Sequence, residues 1–274
     1  MIRSETQHGW WLITQAEHAR LAAAFAREWG NAELRSPEPR TRVQRAITNL
    51  DYGWRERDNS PTLAPDGKPS AFSAAQLGQP LSWDEINFDT YLNLRARAVR
   101  AVAGEGDAYA ALLIALYNED HLTRLIRREN LTPQQLTVLD RFLREEESFQ
   151  QQLLDLIEDD AFLMASEKQS ETIQENFRLL HGCQYLSLLS CLAFDQPFPL
   201  PQPLALRSGG SVTVHVRPLA PRQFQVTPWP FAAPELRLEF SAHRIIGHVF
   251  TTQESFVETF RQAPTEILSV RLSA

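Results

Sequence analysis

Gln196-Pro197-Phe198-Pro199-Leu200-Pro201-Gln202-Pro203 is the stretch at which the chain changes character. Alternate prolines lock φ and remove main-chain donors, so neither a helix nor an interior strand can run through it, and an extended connection is predicted. Downstream, Val212 to Val216, Gln223 to Val226 and Leu236 to Ile246 alternate in the manner of strands, with Ser208-Gly209-Gly210 as a turn. Thr252 then caps a short helix to about Gln262, and Ile267 to Leu272 gives a final strand. Upstream, apolar residues recur at helical spacing. The predicted fold is α+β: a predominantly helical bundle over residues 1–195, entered by a short N-terminal strand or hairpin, with a small β-rich part over 204–274 packed on it.

In the helical part, His8 to Ile13 reads as a strand, and Thr14 with Glu17 forms the S/T-x-x-E pattern that opens a helix ending at Gly30. His18 shares the apolar stripe of Leu21, Ala22, Phe25 and Trp29, so its ring needs a partner in the core. A second helix begins near Pro39 and carries Val43, Ala46, Ile47, Leu50 and Trp54; if it lasts, Asp51 and Asp58 share a face. Turn residues fill 59–69. Further helices are expected from Ser82 and Glu85 to about Ala103, from Asp107 toward Asn130, from Thr132 to about Glu158, and from Glu171 to Ala193, with Glu145-Glu146-Glu147 on a solvated side.

Composition excludes some classes of function. The chain has 274 residues, 43% of them hydrophobic, a formal charge of −7 and no basic run, so a nucleic-acid partner is not expected. The longest apolar stretches, Ala108 to Leu116 and Tyr185 to Phe194, are half of the roughly 20 residues a bilayer span requires, and the N-terminal residues lack the pattern of a secretion signal. Cys183 and Cys191 on one helix would stand roughly 12 Å apart, too far to bridge. A soluble, cytoplasmic protein with reduced thiols follows as the expectation, with no membrane partner and an open oligomeric state. Phosphate-binding glycine loops, nucleophile elbows, paired C-x-x-C and H-E-x-x-H are all absent.

One segment carries a resemblance. Leu50-Asp51-Tyr52-Gly53-Trp54 keeps the Asp, Gly and Trp of A-x-x-x-H-D-x-G-W, the helix motif of HD-class metal-dependent phosphohydrolases. More of the chain resembles a bacterial family, domain-of-unknown-function family 3891, a divergent relative of that class. The matching pieces are Gly9-Trp10, Ile13-Thr14-Gln15, His18 to Ala22, Asp51 to Trp54, Asp58, Pro61, Gly67, Pro69, Leu112 to Leu116, Asn176 to Leu180, Leu186 to Leu188 and Pro228-Trp229-Pro230-Phe231. The resemblance implies an HD-like helical fold and a pocket formed by His18, Asp51, Trp54, Asp58, Tyr117 and Gln184. It also implies histidines where Leu50 and, nearby, Tyr117 stand, and an acid near Gln184. Three ligands are thus missing, and no cofactor is expected; His18 and Asp51 are the residual candidates for a divalent Mn, Fe or Zn ion.

Two functional readings follow. In one, the chain is a degenerate, non-catalytic HD-like scaffold with a pocket for a small molecule. In the other, it is a metal-dependent phosphohydrolase of a small phosphorylated compound, with Asp51 as ligand and His18 as ligand or base. Each residue also has a structural reading: His18 as a core histidine bonded to Gln15, Asp51 or a carbonyl, Asp51 as the partner of Arg20 or Arg55, and Trp54, Trp10 and Trp11 as core. His121, His181, His215, His243 and His248 show no ligand spacing and read as surface or packing residues. The Pro228 to Phe231 motif suits either packing or a partner contact.

Overall fold

The computed structural model describes residues 1–71 and 86–274, so the Ser82/Glu85 capping pair lies outside the described residues. The chain opens as a hairpin in which β1 (Ile2–Thr6) pairs antiparallel with β2 (Gly9–Ile13). Thr14 then caps α1 (Gln15–Glu28), its side chain accepting from the main-chain N–H of Glu17, which is the predicted opening. After α2 (Arg40–Asn49) the chain leaves α-geometry, passes through a 3₁₀ turn at Tyr52–Trp54 and continues as the short α3 (Arg55–Asn59). Asp51 and Asp58 therefore do not share the face of one continuous helix.

Asn87 caps α4 (Phe88–Gly104), Asp107 caps α5 (Ala108–Leu125), and Thr132 and Gln135 cap α6 (Pro133–Asp159) reciprocally. Glu146, expected on the solvated side of α6, is instead buried and paired with Arg100. The helix α7 (Ser170–Leu192) is buried on almost every side between Leu179 and Cys191, as befits a central helix. Its neighbours are α1, α2, α5, β1 and the segment Leu204–Ala205.

Beyond it, β3 (Phe198–Pro199), β6 (His215–Ala220), β7 (Gln223–Thr227), β8 (Glu235–Ile246) and β9 (Thr265–Ser273) join the hairpin in a seven-stranded sheet ordered β1-β2-β8-β9-β7-β6-β3. Only β7 and β9 run parallel. β4 (Leu204–Ala205) and β5 (Ser211–Val212) form a separate two-stranded ribbon, and α8 (Gln253–Gln262) links β8 to β9. One hydrophobic core runs from helix to sheet, joining Phe25 and Leu180 to Phe240, Val226 and Val270.

The architecture is α+β, but the expected helical HD-like bundle with a small C-terminal β layer is overturned. The sheet is large, and its edge is the N-terminal hairpin, tied in where Trp10 of β2 pairs with Ile245 of β8. Two features hid it. β1 reads Ile2-Arg3-Ser4-Glu5-Thr6, with Ser4 among its buried positions, so its period of two is invisible in hydrophobicity. β8 is twelve residues long, enough to reach both the hairpin and β9. Pro228 to Phe231 takes the packing role: Phe231 sits edge-on to Trp29 at 5.5 Å and to Trp229 at 5.0 Å, closing the end of α1.

Candidate functional site

The D-x-G-W segment sits on the 3₁₀ turn, and all three of its distinctive residues meet α4. Asp51 Oδ1 is 3.7 Å from Arg95 Nη1, both groups being almost wholly buried. A Cβ on Gly53 would stand 2.1 Å from the Leu94 carbonyl oxygen, so only glycine lets the turn approach this closely. The Trp54 indole packs edge-on to Tyr91 at 6.0 Å, with the Arg95 guanidinium 5.7 Å from its centre. Asp51 pairs with Arg95 rather than with Arg20 or Arg55; Arg20 is held by Glu17, and Arg55 stacks on Tyr52.

His18 is buried on α1, facing α7. The Ser187 hydroxyl donates to the His18 carbonyl at 2.8 Å, which leaves its oxygen to accept from His18 Nδ1 at 2.7 Å and so assigns the ring proton to that nitrogen. Gln184, one turn earlier on α7, also reaches the ring, while its amide nitrogen lies 3.5 Å from the Ile47 carbonyl. Neither Gln15 nor Asp51 is the partner. Burial, reinforced by the positive N-terminal amine and Arg95, lowers the His18 pKa to about 3, so the ring is neutral at ordinary pH. Burial likewise raises the Asp51 carboxyl to about 6, with Arg95 opposing and Asp58 adding to the shift.

Asp58 accepts the main-chain N–H of Gln15 at 2.7 Å and lies 3.3 Å from the Met1 amine, joining α3 to the first turn of α1. Tyr117 is buried on α5 between two rings, His121 at 5.5 Å and His181 at 4.5 Å. His121 Nε2 contacts Tyr91 Oη at 2.9 Å and Arg95 Nη2 at 3.0 Å, and His181 Nε2 is 3.0 Å from Asp120 Oδ2. Burial holds both histidines below the ordinary imidazole range. Of the six predicted residues, Asp51 and Trp54 meet Arg95 directly and Tyr117 joins the same buried polar seam through His121, whereas His18 with Gln184 lies between α1 and α7 and Asp58 is held by Gln15 and Met1.

Arg95 was not singled out from the sequence, and His121 and His181, lacking ligand spacing, were read only as surface or packing residues. A signal was nevertheless present. Arg95 falls on the apolar stripe Tyr91, Leu92, Ala98, Val99, and His181 stands in the unbroken run Leu179-Leu180-His181-Gly182-Cys183. A charged or polar group in such a stripe must be satisfied inside the fold.

These residues do not fit a divalent ion. Asp51 faces a guanidinium, His18 Nδ1 is committed to Ser187, and Asp58 is committed to a main-chain amide and an amine. A second cation beside Arg95 would be repelled across a poorly screened interior. Among the described residues, no three His, Cys, Asp or Glu side chains are grouped to hold a metal.

An open cleft of about 390 Å³ lies elsewhere, where the loop after α1, the start of α7 and β4 meet. Trp29 and Leu204 form apolar wall, Asn176 and Glu167 are buried polar lining, and Arg35 and Arg207 stand at the exposed rim. Asn176 Nδ2 donates to the Glu38 carbonyl at 2.6 Å and to Tyr109 Oη at 2.8 Å, which fixes the polar side. Burial, with Glu167 adding to it, pushes the Tyr109 hydroxyl up to about 12. The volume is at the small end of the range typical of small-molecule sites.

No helix among the described residues is long and apolar enough to cross a membrane. No curated protein and no solved structure matches the chain. Residues 1–246 match the family described as Protein of unknown function (DUF3891), hairpin, helical layer and β8 included, and the chain belongs to that family.

Proposed function

We propose that the chain is a non-catalytic binding protein, in which the polar seam around Arg95 is structural and a small molecule is held in the cleft bounded by the loop after α1, the start of α7 and β4. The observation that carries this reading is the placement of Arg95. Its guanidinium supplies, from within the chain, the positive charge that Asp51 would otherwise draw from an ion, and it packs on the Trp54 ring of the same turn. Asp51 is spent on holding α4 against the 3₁₀ turn. The resemblance to the HD class then concerns the D-x-G-W motif alone, and the phosphohydrolase reading would require Arg95 to leave.

The test is elemental analysis of the purified protein after incubation with manganese, zinc and iron, alongside Asp51→Asn, with phosphomonoester hydrolysis followed in parallel. The expected result is no stoichiometric metal in either protein and no turnover. A near-stoichiometric metal that Asp51→Asn loses, or hydrolysis that depends on it, would overturn the reading.

A further inference from the structure

We propose that the cleft bounded by the loop after α1, the start of α7 and β4 recognises a short aminocarboxylate, its amine held by Glu167 and its acid directed toward Arg207. The inference deepens the binding reading given above and rests on it. Glu167 lines the cleft and is 7% exposed; its Oε2 accepts the Met164 main-chain N–H at 2.7 Å, and among the described residues no Lys or Arg forms an ion pair with it. A buried carboxylate held by one neutral donor retains acceptor capacity for a charged one.

At the rim the two arginines differ. Arg35 is taken by Glu175 at 3.1 Å, whereas Arg207 spends its Nε on the Asn31 carbonyl at 2.7 Å and leaves its two terminal nitrogens with no carboxylate among the described residues. The Asn31 contact fixes the guanidinium on the rim, and the terminal nitrogens of a guanidinium form the edge that binds a carboxylate. Of the lining acids, Glu175 is paired with Arg35 and Glu38 is exposed, which leaves Glu167 as the buried acid without a cation; with Arg207 it suits a dipolar ligand. The apolar side of Trp29 and Leu204 suits the methylene chain between its ends.

The experiment uses three four-carbon probes differing only in their ends, namely 4-aminobutyrate, putrescine and succinate, titrated calorimetrically into the full chain up to about 50 mM, the weak affinity expected of so small a ligand. The expected order is 4-aminobutyrate, then putrescine, then succinate. Glu167→Gln should weaken both amines about ten-fold or more, the loss of a charge-assisted hydrogen bond. Arg207→Gln, on the exposed rim where folding is insensitive, should weaken 4-aminobutyrate to the level of putrescine and leave putrescine unchanged. Succinate binding as tightly as 4-aminobutyrate, amine affinity untouched by Glu167→Gln in a folded variant, or no heat from any probe would each overturn the proposal. None of these bears on Asp51 and metal, so the non-catalytic reading fails or stands separately.

Discussion

Gly53 lies directly beneath the main-chain carbonyl of Leu94, with no room for a methyl group between them. A backbone oxygen cannot swing aside as the tip of a side chain can. Gly53→Ala is therefore expected to cost about 2 kcal/mol or more, because the 3₁₀ turn must lift off α4. Gly104→Ala is the matched control: its added Cβ meets nothing within 4 Å at the end of the same helix, and it should be neutral or stabilising by up to about 1 kcal/mol. Urea unfolding of the two variants checks both numbers.

Removing Arg95 alone strands the Asp51 carboxylate in the core. Arg95→Met is expected to cost about 3–5 kcal/mol, and Arg95→Met combined with Asp51→Asn should recover part of that loss, because the stranded charge is gone. A double-mutant cycle from denaturant midpoints measures the coupling. Additive effects of the two substitutions would remove the pair as the organising contact of the turn.

The opposite shifts of His18 and Asp51 oppose each other in acid. The His18 folded pKa of about 3 lies below its ordinary 6.5, so its contribution is fully present above 6.5 and is lost as pH falls toward 3. The Asp51 folded pKa of about 6 lies above its ordinary 3.8, so its contribution is present below 3.8 and is lost as pH rises through 6. Between about pH 4 and 6 the two slopes cancel. Asp51→Asn should expose the His18 slope, with stability rising with pH across that window by up to about 1.4 kcal/mol per unit. His18→Gln should expose the reverse slope. Stability measured in urea at several pH values between 4 and 6.5 checks the signs.

Both thiols are sealed. Cys183 and Cys191 are free and buried on α7, and burial pushes the Cys191 thiol up to about 12 and Cys183 higher still. Neither should react with a thiol-specific chromogenic disulfide in the native protein, and both should react in concentrated urea. Fast labelling of the native chain would mean that α7 is not the enclosed helix described above.

The helical layer was legible where caps and stripes coincide: Thr14, Asp107, Thr132 and Thr252 each cap the helix their spacing announced. The embedded polar residue His18 was equally legible as needing a partner, though not which one, since Ser187 lies 169 positions away. Spacing within one element says nothing about contacts of that span, which is also why Arg95 was missed as the partner of Asp51. The sheet was the largest loss. β1 places the polar Ser4 beside Ile2 at its buried positions, so its alternation does not show in hydrophobicity, and the pairing of β2 with β8 spans most of the sequence. The cleft was not legible at all, because its walls come from the loop after α1, from α7 and from β4.

β9 occupies the middle of the sheet although it is the last strand in chain order, hydrogen-bonded on one side to β8 and on the other, in parallel, to β7. During synthesis the sheet can exist only as two unjoined halves, the hairpin with β8 and the β7-β6-β3 group, each with an open edge, until residues 265–273 leave the ribosome and are inserted between them. A chain that has reached only β8 therefore still lacks its keystone strand, and its two open edges are exposed to wrong pairing until α8 and β9 emerge.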